Sequence, residues 1–115
     1  MLLVGCCLLG TSVLAAAVES RGSRTCASWL EHRLEQPEGH AFNTEIDQTW
    51  MVGYLSGLIA GSGIDVLVGT NNVSIFAMVD AYCQAQPNSD LAAAGTSLAR
   101  ELMREKGIVN VPTLR

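Results

Sequence analysis

The sequence predicts an all-α fold, a compact bundle of about four short helices closed by one disulfide bond. Apolar residues recur at helical spacing from Ser23 onward. Proline, glycine and helix-capping residues divide this region into four stretches. Apart from Cys6 and Cys7 near the start, the chain has two cysteines, Cys26 and Cys83. A chain of 115 residues has room for one domain.

The first seventeen residues are predicted to be a secretory signal peptide. Residues 1–17 carry no charge, are nearly all apolar and end in Ala15-Ala16-Ala17, a typical cleavage pattern. This stretch is shorter than the roughly 20 apolar residues of a transmembrane helix. We therefore expect residues 18–115 to form a single helical domain in the periplasm. The alternative is lipidation at Cys6, because Leu3-Val4-Gly5-Cys6 resembles a bacterial lipobox.

The charge and the cysteine content of the predicted exported domain indicate which partners it disfavours and that it contains a disulfide. Its seven basic and eleven acidic side chains give a net charge of −4, which favours neither nucleic acid nor an anionic membrane as a partner. In an oxidising compartment, Cys26 and Cys83 are expected to form a disulfide. Such a bond stabilises a domain by about 4 kcal/mol when it closes a loop of this length. Two buried free thiols are the alternative.

The first predicted helix begins after a cap at Ser23 or Thr25 and ends before Pro37 and Gly39. Its inward residues follow at helical spacing: Cys26, Trp29, Leu30, Arg33 and Leu34. Residues 37–43 are predicted to form a loop.

The second predicted helix covers about residues 44–60. Asn43 or Thr44 is expected to cap it, with Asp47 three residues after Thr44, and Phe42 is expected to pack beneath its first turn. One face carries residues at intervals of four: Ile46, Trp50, Tyr54 and Leu58.

A second row on this helix consists of glycines, Gly53, Gly57 and Gly61. Glycine inside a helix costs about 1 kcal/mol relative to alanine, so the row predicts that another helix crosses close by. For Gly61 we favour a simpler role, ending the helix with Gly63.

The last two helices follow an irregular apolar segment at residues 64–70. The third, about 73–86, begins after Asn71-Asn72 and ends at Pro87. Its inward residues are Ile75, Phe76, Val79, Tyr82 and Cys83.

The fourth predicted helix, about 90–106, begins at Ser89 or Asp90 and ends at Gly107. Its apolar stripe consists of Leu91, Ala94, Leu98 and Leu102. The segment after Gly107 is predicted to be a coil or a strap over the fold.

The sequence contains no catalytic signature, so we expect a protein that is not an enzyme and uses no cofactor. Ser56 lacks the spacing of a nucleophile elbow, and the glycines of the second helix do not follow a strand as a nucleotide-binding turn requires. Asp80 is expected to cap or pair locally. His32, with Glu31 and Glu35, is expected to lie on a solvated helix face, so no metal site is predicted.

Two segments resemble the periplasmic acid-stress chaperones of the HdeA/HdeB type. Residues 24–30 (RTCASWL) resemble the opening T-C-x-x-[FW]-L of that family, and residues 79–87 (VDAYCQAQP) resemble its V-x-x-Y-C-x-x-x-P helix. Residues 50–57 (WMVGYLSG) instead resemble the W-x-x-G-[YF]-x-x-G helix of the Rap1a/Tai immunity family. The first resemblance also implies a disulfide between the two cysteines.

These resemblances imply two functions. One is a stress chaperone that exposes apolar faces on acidification, because neutralised carboxylates leave the basic side chains uncompensated, and then binds unfolded clients. The alternative is an immunity protein that blocks a secreted effector. Both functions imply a protein partner, and neither excludes a homodimer. The residues expected to contact clients or partners are Trp50, Tyr54, Leu58, Leu91, Leu98 and Leu102.

Overall fold

The computed structural model describes residues 21–34 and 41–108, which form four α-helices and no β-strand. The helices are α1 (Cys26–Leu34), α2 (Ala41–Ser62), α3 (Asn72–Ala85) and α4 (Leu91–Glu105). A disulfide joins Cys26 to Cys83. The predicted all-α bundle with one disulfide is therefore confirmed.

Some predictions concern residues outside this range. The leader at residues 1–17, Cys6 within it and the helix-ending Pro37 and Gly39 lie outside the described residues. The coil predicted after Ile108 does so as well.

Side-chain caps fix where three helices begin. The Thr25 hydroxyl accepts a hydrogen bond from the Ser28 backbone N–H at 3.0 Å, so Thr25 caps α1. Asn71 accepts one from the Ser74 N–H before α3. Asp90 accepts one from the Ala93 N–H before α4.

The end of α4 follows the predicted glycine signal. Gly107 has a φ of +78°, which glycine adopts without steric cost. The Gly107 N–H donates to the Arg104 carbonyl and the Ile108 N–H to the Met103 carbonyl, at 3.0 and 2.9 Å. These two bonds form a Schellman motif, which satisfies carbonyls that would otherwise be left open.

The start of α2 differs from the prediction. The helix begins at Ala41, so residues 41–43 are helical rather than part of a loop. Phe42 is 70% exposed and does not pack beneath the first turn. Thr44 lies within the helix, and its hydroxyl donates to the His32 carbonyl at 2.8 Å instead of capping. The predicted cap was wrong because a contact to α1 uses this hydroxyl.

The buried face of α2 is offset by one residue from the face that was predicted from the sequence. Met51, Leu55 and Ile59 are buried at intervals of four, in line with Asp47. The neighbouring row that begins at Ile46 is half-buried and flanks this core. Both rows have the same spacing, so periodicity alone does not decide between them.

The glycine row of α2 does not lie beneath another helix. A Cβ added at Gly53, Gly57 or Gly61 would meet no atom within 4 Å. The close helix approach occurs at Gly95 of α4 instead, where a Cβ would lie 2.7 Å from the Tyr54 ring. The prediction of a crossing at the glycine row was therefore wrong.

Residues 63–71 connect α2 and α3 without regular structure, as predicted. Gly63, with a φ of +73°, follows the last residue of α2. Val66 is fully buried, and Ile64 and Leu67 pack against the core. The segment thus closes one side of the bundle.

Candidate functional site

The six residues predicted to contact clients or partners fall into two groups. Trp50, Tyr54 and Leu58 are half-buried on α2. The rings of Trp50 and Tyr54 stack with centroids 4.9 Å apart. The Trp50 indole N–H donates to the Arg21 carbonyl at 2.8 Å, which fixes the ring in place. Part of this group is therefore accessible in the folded domain.

The other group lies inside the fold. Leu91, Leu98 and Leu102 are 0%, 4% and 5% exposed and belong to the hydrophobic core. A client can reach these three side chains only after the bundle opens.

The most buried charge of the described residues is Asp47, whose side chain is 1% exposed. Asp47 Oδ2 lies 2.6 Å from His32 Nδ1 of α1. Asp47 Oδ1 lies 3.0 Å from Arg24 Nε, just before α1. The prediction that His32 lies on a solvated face was wrong, since its side chain is 11% exposed.

The two carboxylate oxygens of Asp47 differ in their hydrogen bonding. Oδ2 has the short contact to His32, whereas Oδ1 makes no hydrogen bond. The Arg24 contact to Oδ1 is thus a charge interaction without hydrogen-bond alignment. A buried carboxylate with one such oxygen depends strongly on its cationic neighbours, because desolvation penalises the charge.

A second aspartate, Asp80 of α3, holds the same helix α1. Asp80 accepts hydrogen bonds from the Trp29 indole N–H at 2.7 Å, from Arg33 Nε at 3.0 Å and from Arg33 Nη2 at 2.5 Å. The guanidinium also lies 5.7 Å from the centroid of the Trp29 ring. Asp80 therefore pairs across helices, and the prediction of a local pairing was wrong.

The pKa of Arg33 reflects this contact. The hydrogen bond to Asp80 raises the pKa of Arg33 above its ordinary value, burial acts in the opposite direction, and the Asp80 charge adds to the increase. Arg33 therefore stays charged at every acidic pH. Its raised pKa contributes stability that is lost only in strong alkali. Acid can break this pair only through the carboxylate.

The sequence contains a local signal for the burial of Asp47. Asp47 lies four residues before Met51 and eight before Leu55, in an otherwise apolar helical row. A charge in such a row predicts either an exposed row or a buried ion pair. No comparable local signal exists for Asp80, because its partners Trp29 and Arg33 are about fifty residues away.

Beside this region, an open groove runs over the outer side of α4. It has a volume of about 480 Å³ and lies between the rings of Tyr54 from α2 and Tyr82 from α3. The floor and end of the groove are formed by Ala92, Ala93, Thr96, Ser97 and Arg100.

Hydrogen bonds and close packing hold both walls of this groove. The Tyr54 hydroxyl is 2.9 Å from Thr96 Oγ1, and the Tyr82 hydroxyl is 3.1 Å from Ser89 Oγ. Gly95 lets the Tyr54 ring lie directly on α4. Both tyrosine side chains are thus held by contacts to α4 or to the residues before it.

Within residues 21–34 and 41–108, no helix has both the length and the apolar character needed to span a membrane. No three side chains of His, Cys, Asp or Glu in these ranges come together as a metal site.

No family model, no curated protein and no solved structure matches the chain.

Proposed function

We propose that this protein is an exported, acid-responsive chaperone of the periplasm, similar in function to the HdeA/HdeB type. At neutral pH the bundle is closed. In acid, helix α1 separates from the bundle, and the uncovered apolar surface binds unfolded client proteins.

The observation that carries this proposal is the way α1 is attached. Trp29 of α1 is fully buried, and the helix contacts α2 and α3 through Asp47 and Asp80. Three cationic or ionisable partners face these carboxylates from α1 and the residues before it: Arg24, His32 and Arg33.

Acid acts on the two sides of these contacts in opposite ways. Aspartate side chains in model peptides have a reference pKa of about 3.9, and histidine about 6.5, whereas arginine stays charged. In acid a carboxylate in general gains a proton and loses its charge, whereas arginine keeps its charge. Loss of the Asp47 charge would leave Arg24 and His32 beside a buried, uncharged acid, which disfavours the closed position of α1.

The disulfide determines how α1 can move once these contacts are lost. Cys26 is the first residue of α1, and its bond to Cys83 keeps that end on α3. The rest of α1 can therefore swing away without leaving the domain. Its movement uncovers Trp29 and the core side chains of α2, beside the half-buried Trp50 and Tyr54.

The chaperone assay compares two matched aspartate variants. Light scattering of an acid-denatured client is recorded with the exported domain between pH 7 and pH 2. Wild type is expected to suppress aggregation only in acid. Asp80→Asn removes the charge that binds Arg33, so its activity should begin at a higher pH. Asp65→Asn removes the same charge from an exposed loop position and should behave as wild type.

The position of α1 is followed in the same series by tryptophan emission. Because the chain has two tryptophans, a Trp50→Phe background leaves Trp29 as the reporter. Its emission should shift to the red at the pH at which client suppression begins. Suppression at pH 7 equal to that at pH 3, or none at either pH, would contradict the proposal.

The alternative is a binding protein of the Rap1a/Tai immunity type that blocks a secreted effector. The exposed glycine row of α2 favours it, because Gly53, Gly57 and Gly61 leave open space for a partner at neutral pH. Each glycine lowers the stability of the free helix, which a partner could offset.

Capture experiments separate the two functions. The exported domain is immobilised and exposed to periplasmic extract at pH 7 and at pH 3. Many proteins retained only at pH 3 support the chaperone. A single protein retained at pH 7, and lost with Gly57→Leu, supports the immunity function.

A further inference from the structure

We propose that residues 21–25, the segment that leads into α1, hold the start of this helix on the bundle without help from the disulfide. When the disulfide is reduced, the segment keeps Cys26 beside Cys83. The domain therefore keeps this part of its fold under reducing conditions. The proposal does not depend on the chaperone function.

Two backbone hydrogen bonds join the 21–25 segment and the start of α1 to the chain just before α4. The Cys26 N–H donates to the Ser89 carbonyl, and the Leu91 N–H donates to the Arg24 carbonyl, both at 2.9 Å. Cys26 and Leu91 are fully buried. Because a buried N–H group needs an acceptor, the folded bundle favours the segment in this position.

The 21–25 segment also completes the start of α4. A helix begins with four N–H groups that have no acceptor inside the helix. In α4, Asp90 accepts hydrogen bonds from two of them. The Arg24 carbonyl accepts the bond from Leu91. The Ser23 hydroxyl accepts the bond from the Ala92 N–H at 3.2 Å. Releasing the segment would therefore leave half of these groups without their acceptors.

Contacts with α2 hold the other end of the segment. The Trp50 indole N–H donates to the Arg21 carbonyl at 2.8 Å, and Arg24 Nε lies 3.0 Å from Asp47 Oδ1. Gly22 has a φ of +76°, and a Cβ added there would lie 3.2 Å from the indole nitrogen of Trp50. Glycine thus lets the backbone pass close to this ring. The segment is fixed to α2 as well as to α4, and none of these contacts involves the disulfide.

The test is amide hydrogen exchange of the isotope-labelled protein at pH 7, before and after treatment with a thiol reductant. The amides of Cys26 and Leu91 report on the segment, because their bonds cross from it to the start of α4. The amides of Ala93 and Ala94 report on α4 alone, because both donate to Asp90.

After reduction, we expect the Cys26 and Leu91 amides to exchange at least about a hundredfold more slowly than in an unstructured chain. Exchange of these two amides at the unstructured rate would overturn the proposal. That conclusion holds whether α4 stays protected, which would mean that the segment was released, or the whole domain unfolds.

Two serine variants test the side-chain contact to α4 in the reduced protein. Ser23→Ala removes the acceptor of the Ala92 N–H and should accelerate exchange of the two segment amides about fivefold, the effect of losing one hydrogen bond. The two α4 amides should keep their wild-type rates. Ser97→Ala makes the same change at an exposed position of α4 and should exchange as wild type.

Two glycine variants test the contact to α2. Gly22→Ala places a methyl group against Trp50 at a φ that alanine rarely adopts, so it should accelerate exchange of the segment amides by at least about tenfold. Gly69→Ala has the same backbone conflict, with a φ of +89°, but its Cβ would meet no atom within 4 Å. It should leave the segment amides unchanged. Equal rates in Gly22→Ala, Gly69→Ala and wild type would also overturn the proposal.

Discussion

Helices α1 and α4 are attached to the same bundle by different forces. α4 has seven buried residues and a capped start and end, and these residues belong mainly to the apolar core. α1 has two buried residues, Cys26 and Trp29, and its attachment includes a disulfide, the Thr44 hydroxyl and two aspartates on its neighbours. The two attachments therefore differ in kind, because one is mainly apolar and the other is partly ionic.

This difference predicts the order in which the domain opens. Acid should release α1 first, while α4 remains packed against α2 and α3. Four substitutions test the contrast: three of them each affect one kind of contact, and the fourth affects neither attachment.

The largest effect is expected from Cys83→Ala. It removes the covalent attachment of α1, and loss of a native disulfide in a small domain costs about 2–5 kcal/mol. Urea unfolding at pH 7 measures the total loss. Amide hydrogen exchange should show faster opening of α1 than of α4. Wild type treated with a thiol reductant is the control and should match the variant. Equal opening of both helices would mean that α1 is not a separate unit.

The second-largest loss of stability is expected from Asp47→Asn. The carboxylate is buried against His32 and Arg24, and hydrogen bonds to charged groups contribute about 1.5–3 kcal/mol. Asparagine has no charge to pair with either cation, so the variant should be less stable than wild type at pH 7.

Urea unfolding of Asp47→Asn and wild type at pH 7 supplies the measurement. Asp65→Asn is the matched control, because it removes a charge from an exposed position. A loss of stability in Asp47→Asn no larger than that in Asp65→Asn would contradict the ionic attachment of α1.

A third substitution, Gly95→Ala, affects the apolar attachment of α4. Its Cβ would lie 2.7 Å from the Tyr54 ring and 3.2 Å from the Met51 sulfur. Overpacking costs about 1–3 kcal/mol, which exceeds the gain of about 1 kcal/mol from helix propensity. Thermal unfolding should show a net loss of the same size at pH 7 and at pH 4. A pH-dependent loss would show that the α2–α4 contact is not purely apolar.

The helices and their ends could largely be read from the sequence, because their signals are local. Asn71, Asp90 and Gly107 cap the helices as predicted, and each acts within four residues of its own position. The start of α2 was misplaced because Thr44 contacts α1, a partner that local sequence does not reveal.

Contacts between helices were harder to predict, because local sequence does not reveal partners that lie far away in the chain. The two rows of α2 that begin at Ile46 and at Asp47 have the same spacing. The first row was predicted to be the buried one because all its residues are apolar, whereas the second row, which includes a charge, is buried. The ion pairs of Asp47 and Asp80 join residues far apart in the sequence. The disulfide was predictable because residues 18–115 contain two cysteines and therefore allow one pairing.

The smallest effect is expected from Gly57→Ala, which alters neither attachment. Gly57 lies in the exposed face of α2, and an added Cβ would meet no atom within 4 Å. Alanine should therefore stabilise the helix by up to about 1 kcal/mol through its propensity, the opposite sign to Gly95→Ala. The gain should be the same at pH 7 and pH 4, since no titrating contact changes. Thermal unfolding of both glycine variants beside wild type measures the two signs in one experiment. A loss at Gly57 would mean that something in the solution assembly covers this face, and a second copy of the chain would then be detected by a concentration-dependent unfolding temperature.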